Sequence, residues 1–192
     1  MANAVKIKQT MLEQGIPAEI VMQFVDLPPN GNFQAESILP LIEQMDELLT
    51  EEQRLSIMEQ QGCCKSGKAD VAWKAFGRMH KDKPLAEKVR LICEANLPYI
   101  PPGRLNEDGT LSVFWGAGKE GDYRCVCSAI KKMSWPVSVS PTYCACCGGH
   151  VRYHYQNALG VSLRLREVVS SAATSGGEKH CEFLFEVEDA KL

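Results

Sequence analysis

Apolar and polar positions follow two different periods along this chain: roughly the first hundred residues repeat at helical spacing, and later segments alternate. Behind Pro17, whose fixed φ suits a first helical residue, Ile20, Val21, Phe24 and Val25 form one stripe. Asn30-Gly31-Asn32 marks a turn. A second helix is predicted from Glu36 to Leu49 with Ile38, Leu41, Ile42, Met45 and Leu48 inward, and Pro40 is tolerable there only in the first turn. Thr50-Glu51-Glu52-Gln53 reads as a capping box that opens a third helix, with Gly62 ending it. Further helices are predicted over Lys68–His80, with Val71, Ala75, Phe76 and Met79 on one face, and after Pro84, with Leu85, Val89, Ile92 and Cys93.

The helical half stops near Leu97-Pro98, and Tyr99 to Gly109 is dense enough in proline, glycine and turn formers to read as a connector. Leu111–Trp115 and Tyr123–Cys127 are short strand-like runs joined by the glycine-rich Gly116 to Gly121, which predicts a hairpin. Val161 to Val169 and Cys181 to Glu188 alternate as half-buried strands do. Between the two pairs, Cys147 to Leu159 is predicted helical, stopped by Gly160. Helices followed by β-β-α-β-β, with strands in consecutive pairs, predict an α+β fold with an antiparallel sheet in one domain of 192 residues: a helical half over 1–98 and the sheet with its helix over 110–190.

Composition narrows the function classes. The chain is 45% apolar and 23% charged with net charge −3, so neither disorder nor a nucleic-acid footprint is expected. It lacks an apolar run of the roughly 20 residues a membrane span needs, and its first residues lack the apolar stretch of a signal peptide, so the expected location is cytoplasmic with no membrane partner. In a reducing compartment, nine cysteines point to metal or thiol chemistry rather than to disulfides.

All but Cys93, which reads as a small buried hydrophobe, fall in clusters: Cys63-Cys64, Cys125-Val126-Cys127, Cys144-Ala145-Cys146-Cys147, and Cys181 at the start of the last strand. Two pairs of thiolates from neighbouring elements suit a tetrahedral zinc ion, and Cys125, Cys127, Cys144 and Cys146 make such a set; the same residues also suit plain packing. If the helix begins near Cys147, then Cys144, Cys146 and Cys147 lie at its N-terminus, where free amides lower a thiol pKa. His150 is then a candidate base or further ligand, and His154 shares its face, although both also read as structural histidines. Gly148-Gly149 permits a close backbone approach, and Gly176-Gly177 reads as a turn. Lys65 and Arg124 offer charge to an anion or are simply solvated; Trp73, Trp115 and Trp135 read as core or pocket wall.

The Met58 to Cys64 helix end, Cys125-Val126-Cys127, Val139-Ser140-Pro141-Thr142-Tyr143-Cys144-Ala145-Cys146 running into Gly149, and Gly176 to Phe183 together resemble a group of small bacterial proteins. That group is related to the 4-vinyl reductase domain and to the L-2-amino-thiazoline-4-carboxylic acid hydrolase-like family. The resemblance implies a pocket for a small ligand enclosed by sheet and helices, with metal or thiol chemistry at Cys63, Cys125, Cys127, Cys144, Cys146 and Cys181. The chain departs from that pattern at Cys147, where serine is more usual, and at His150, where an aromatic is, which points to an altered site.

Three functions follow as expectations. The first is a small-ligand-binding domain with a zinc-coordinating cysteine site. The second is a hydrolase or redox enzyme with Cys144, Cys146 or Cys147 as nucleophile and His150 as base. The third is an interaction module with packed cysteines. Strand edges or the helical half would carry a homodimer if one forms.

Overall fold

The computed structural model describes residues 4–25, 35–63, 65–95 and 101–188; the predicted turn at Asn30-Gly31-Asn32, Cys64 and the end of the helical half at Leu97-Pro98 lie outside them. Helices α1 (Ala4–Glu13), α2 (Ala18–Val21), α3 (Ala35–Leu48), α4 (Glu51–Glu59), α5 (Gly67–Met79) and α6 (Leu85–Glu94) precede the main strands, and α7 (Pro141–Leu159) lies between them. The strands are β1 (Gly103–Leu105), β2 (Leu111–Trp115), β3 (Ala117–Lys119), β4 (Asp122–Arg124), β5 (Leu163–Ser170) and β6 (Cys181–Val187). The α+β class, with helices mostly N-terminal and an antiparallel sheet mostly C-terminal, is as the periodicity predicts.

The capping box at the head of α4 is formed: the Gln53 amide donates to Thr50 Oγ1 at 3.3 Å, and the Thr50 amide donates to Gln53 Oε1 at 2.9 Å. Thr50→Ala removes one half of it and is expected to cost about 1 kcal/mol. That loss reads as a melting point lowered by about 2–4 °C in a chain of this size. An unchanged melting point would mean that α4 is held by packing alone.

Two helical details depart from the periodicity. Pro40 lies in the second turn of α3 rather than the first, where its missing N–H takes one bond from the helix ladder; the residue faces solvent. On α5 the buried residues are Trp73 and Phe76, while Val71 and Met79 are 63% and 76% exposed. The face is set by Gly77: a Cβ there would stand 2.1 Å from the Asn157 carbonyl oxygen, so α5 and α7 meet backbone to backbone at this point. Cys93 is exposed rather than buried, with its Sγ 3.2 Å from the Gly103 carbonyl.

The main sheet is antiparallel in the order β1-β2-β6-β5. Strand β2 does not pair with the segment after the glycine-rich turn; it runs between β1 and β6, with Val113 opposite Phe183 and Trp115 opposite Cys181. The segment read as a turn folds instead into β3, which pairs with β4 in a ladder of its own. Both strands are short and mostly exposed, so they offer no apolar face to the main sheet. Strand β1 emerges from the stretch read as a connector.

Helix α7 is the hub of the packing, touching α3, α4, α5, α6 and β5. Ser140 accepts the Thr142 amide at 3.1 Å and Pro141 fills the first helical position, so α7 begins six residues earlier than the predicted Cys147. Gly160, at φ 71°, closes it in the left-handed conformation. Buried Lys88 donates to the Leu159 carbonyl at 2.7 Å, a cation at the helix C-terminus. Where α7 crosses α4, a Cβ on Gly149 would lie 1.9 Å from the Glu59 carbonyl oxygen. Glu59, 3% exposed, binds Arg152 of α7 at 2.5 Å and accepts the Leu165 amide of β5 at 2.8 Å, so one carboxylate ties two helices to the sheet.

Candidate functional site

The early start of α7 changes the chemistry of its cysteines. Cys146 and Cys147 stand in the second turn of the helix and Cys144 at the end of the first, so the three are not grouped at free N-terminal amides as the sequence reading expects. Burial pushes the Cys144 thiol well up, and its Sγ lies 3.1 Å from Ser171 Oγ. Cys147 is also raised, first through its contact with Cys127 and then through that with Cys146.

The Cys125-Val126-Cys127 segment is not a strand. Strand β4 ends at Arg124, and the two cysteines lie in the loop that leads to a single 3₁₀ turn, Ile130–Lys132. They therefore differ in environment. Cys125 is buried and its thiol is pushed up to about 12 by desolvation. Cys127 is half-buried and moves the opposite way, down to about 5: the Cys147 thiol donates to it, as do the Ile130 amide, the Tyr143 hydroxyl and the Ala129 amide, against the opposing effect of burial. The Tyr143 oxygen is 3.7 Å from the Cys127 sulfur. Burial and the neighbouring Cys127 charge hold the phenol protonated, so Tyr143 is the donor and the thiolate the acceptor.

One face of α7 supplies this side of the site. Tyr143, Cys147, His150 and His154 are spaced by four, three and four residues and so share a stripe. The hydrogen bond made by His150 goes to backbone rather than to a thiol: its Nδ1 donates to the Cys63 carbonyl at 2.6 Å. Its ring stacks on Trp115 at 5.1 Å and meets the edge of His154 at 4.8 Å. His154 in turn lies 5.5 Å from the buried Trp73. The half-buried Cys63 thus joins this stripe through its carbonyl, one turn along from Cys147.

Cys125, Cys127, Cys144, Cys146, Cys147 and Cys181 are near enough that charge on one disfavours charge on another. Buried Cys181 reaches the group from the start of β6, with its thiol raised by burial. These six cysteines thus lie within electrostatic reach of one another, with the Cys63 carbonyl beside His150 and Cys93 against Gly103. Among the described residues, no group of three or more His, Cys, Asp or Glu side chains is arranged to hold a metal ion. An open recess lined by Thr50, Gln53, Arg164 and Arg166 contains no cysteine. Its Arg164 is shared among Glu52, Glu186 and Glu188, which leaves little charge for a ligand.

No family model and no curated protein matches the chain. A solved structure of an H-NOX protein from S. oneidensis, in the Fe(II)NO ligation state, is similar over 96% of both chains at 10% identity and a TM-score of 0.33. That likeness is too slight to bear on the chemistry of this chain. The resemblance to the 4-vinyl reductase group accordingly rests on its motifs alone. Among the described residues, no helix is long and apolar enough to cross a membrane.

Periodicity missed Tyr143, Ser171 and the amides of Ala129 and Ile130. Only Tyr143 left a trace in the sequence: Ser140-Pro141 is a helix start, and from there Tyr143 falls one turn before Cys147 on the same face.

Proposed function

We propose that this protein works through a thiolate at Cys127 that attacks small, soft electrophiles, with Cys147 as its partner thiol and Tyr143 as a positioning residue. The reading is carried by the half-buried Cys127 sulfur 3.7 Å from the Tyr143 hydroxyl, together with the downward shift of its thiol, of which Cys147 is the largest cause. A thiolate held this way needs no general base, so redox or covalent-capture chemistry suits the site better than a hydrolase that relies on His150, whose hydrogen bond goes to the Cys63 carbonyl and not to a thiol.

The test is site-resolved alkylation with iodoacetamide across a pH series, read by peptide mass spectrometry. The labelling rate of Cys127 is expected to be level from near pH 6 upwards, whereas a free thiol gains about tenfold per pH unit below its pKa. Near pH 6 the advantage over free glutathione is only about tenfold, because a low-pKa thiolate is also a weaker nucleophile. Tyr143→Phe should shift the Cys127 profile to higher pH without moving that of Cys93. A Cys127 rate still rising through pH 8 refutes the reading.

Zinc coordination is the second reading and rests on the clustering of Cys125, Cys127, Cys144 and Cys146 in the sequence. It predicts about one zinc per chain by elemental mass spectrometry, and a Cys127 protected from alkylation until a chelator is added. Metal-free protein whose Cys127 labels at once would exclude it.

A further inference from the structure

We infer that two copies of this chain associate through their helices: the basic outer face of α5 in one copy receives the acidic edge of α3 and the start of α4 in the other. Charge is divided unevenly along the sequence. Between Lys65 and Lys83, six cations (Lys65, Lys68, Lys74, Arg78, Lys81 and Lys83) stand against Asp70 and Asp82, in a chain of net charge −3. Between Ala35 and Gln61, seven acids stand against Arg54. The helices that carry the two segments, α3, α4 and α5, all pack on α7.

Some of these charges are satisfied within the chain: Asp70 pairs with Lys74, Glu87 with Lys83 and Asp46 with Arg54. Others are not. Lys68, Arg78 and Lys81 are exposed, and among the described residues no carboxylate pairs with them; Glu43, Glu47 and Glu51 are exposed and likewise lack a cation. Two of the six also oppose their own helices. Lys68 lies in the first turn of α5, where the helix dipole disfavours a cation, and Glu47 lies in the last turn of α3, where it disfavours an anion. Glu43 stands four residues before Glu47, so the two carboxylates repel each other on one face. Stability within one chain accounts for none of these placements, whereas a surface of opposite charge offsets them all.

Both faces also carry exposed apolar side chains next to their charges: Val71 and Met79 on α5, and Leu48, 40% exposed, beside Glu47 on α3. Apolar contact flanked by charge is the composition of a protein interface. The occupant is a second copy because the chain itself presents the complementary surface. An anionic membrane would satisfy α5 and leave the acids of α3 unpartnered. A two-fold axis uses the contact twice, so that both acidic edges and both basic faces are covered. With so few apolar groups on either side, the contact belongs to the small, transient and salt-sensitive class.

The full chain, kept reduced, is taken through sedimentation equilibrium at about 20 mM and about 500 mM salt, between which the screening length falls from roughly 20 Å to roughly 4 Å. A reversible rise from the mass of one chain to that of two is expected at low salt, with a dissociation constant at least about tenfold larger at high salt. Lys68→Glu combined with Arg78→Glu makes both faces acidic, and Glu43→Lys combined with Glu47→Lys makes both basic, so each protein alone should stay monomeric. Their equimolar mixture should dimerise again, which a failure to fold would not allow. A wild-type chain still monomeric at about 1 mM in low salt overturns the inference. So does a dimer that neither charge reversal weakens, or a mixture that stays monomeric. A wild-type monomer that instead binds vesicles of anionic phospholipid, and loses them on Lys68→Glu with Arg78→Glu, replaces the second copy with a membrane.

Discussion

Gly149→Ala is expected to destabilise the protein by more than about 3 kcal/mol, although alanine is intrinsically the better helix former by about 1 kcal/mol. The sign is decided at the α4–α7 crossing. A Cβ at this position would stand 1.9 Å from the Glu59 carbonyl oxygen, 2.6 Å from its carbon and 2.8 Å from its Cα. All three are backbone atoms, so no rotamer change relieves the clash. The helices must separate by roughly 1.5 Å to restore ordinary contact distances, and core packing does not yield that far without loss. Thermal melting should show a drop of at least about 6–12 °C. Gly148→Ala is the control: its nearest neighbour is Leu165 Cδ2 at 2.8 Å, the end of a side chain that can turn away, so a smaller loss is expected. A Gly149→Ala protein as stable as the wild type would show that the two helices do not cross as described.

Glu59→Ala is expected to cost about 3–5 kcal/mol, the usual penalty for removing one partner of a buried ion pair. Arg152 would remain largely buried without its carboxylate, and the Leu165 amide, at an irregularity of the β5–β6 ladder, would lose its acceptor. Glu59→Gln keeps an acceptor and the shape, so its cost should be smaller. The pH dependence separates the two effects. Burial raises the Glu59 carboxyl above its ordinary value in spite of Arg152 and the Leu165 amide, which means that the folded state binds the proton more readily than the unfolded chain. A raised carboxyl contributes its stability below the unfolded value and loses it as pH rises through the folded one. The wild type should therefore gain on Glu59→Gln as pH is lowered from 7 towards the ordinary glutamate range. Denaturant titrations of both proteins along that series check this. A difference that shrinks on acidification would mean that the ion pair with Arg152, not desolvation, governs the group.

Both residues also illustrate which features could be read in advance. The capping box at Thr50, the glycine stop at Gly160 and the alternation of Cys181 to Val187 are local devices, each complete within a few residues, and each appears where its pattern places it. The α+β order follows from the change of period for the same reason. The inward face of α5 did not follow from periodicity, because a glycine contact with Asn157, not the count of apolar residues, turns Trp73 and Phe76 inward. Strand partners were likewise hidden: β2 meets a strand far along the chain, and hydrophobic pattern alone does not choose between that and the nearer run.

At the site, residue types were legible and roles were not. Clustered cysteines in a chain of this composition mark thiol or metal chemistry from the sequence alone, since that is a property of the side chains present. Which of them carries charge depends on what surrounds each sulfur. Cys125 and Cys127, two residues apart, are driven in opposite directions, one by burial and the other by donors from Cys147, Ile130, Tyr143 and Ala129. Those donors come from a loop and from a helix that begins later in the chain, and only the tertiary structure brings them to one sulfur.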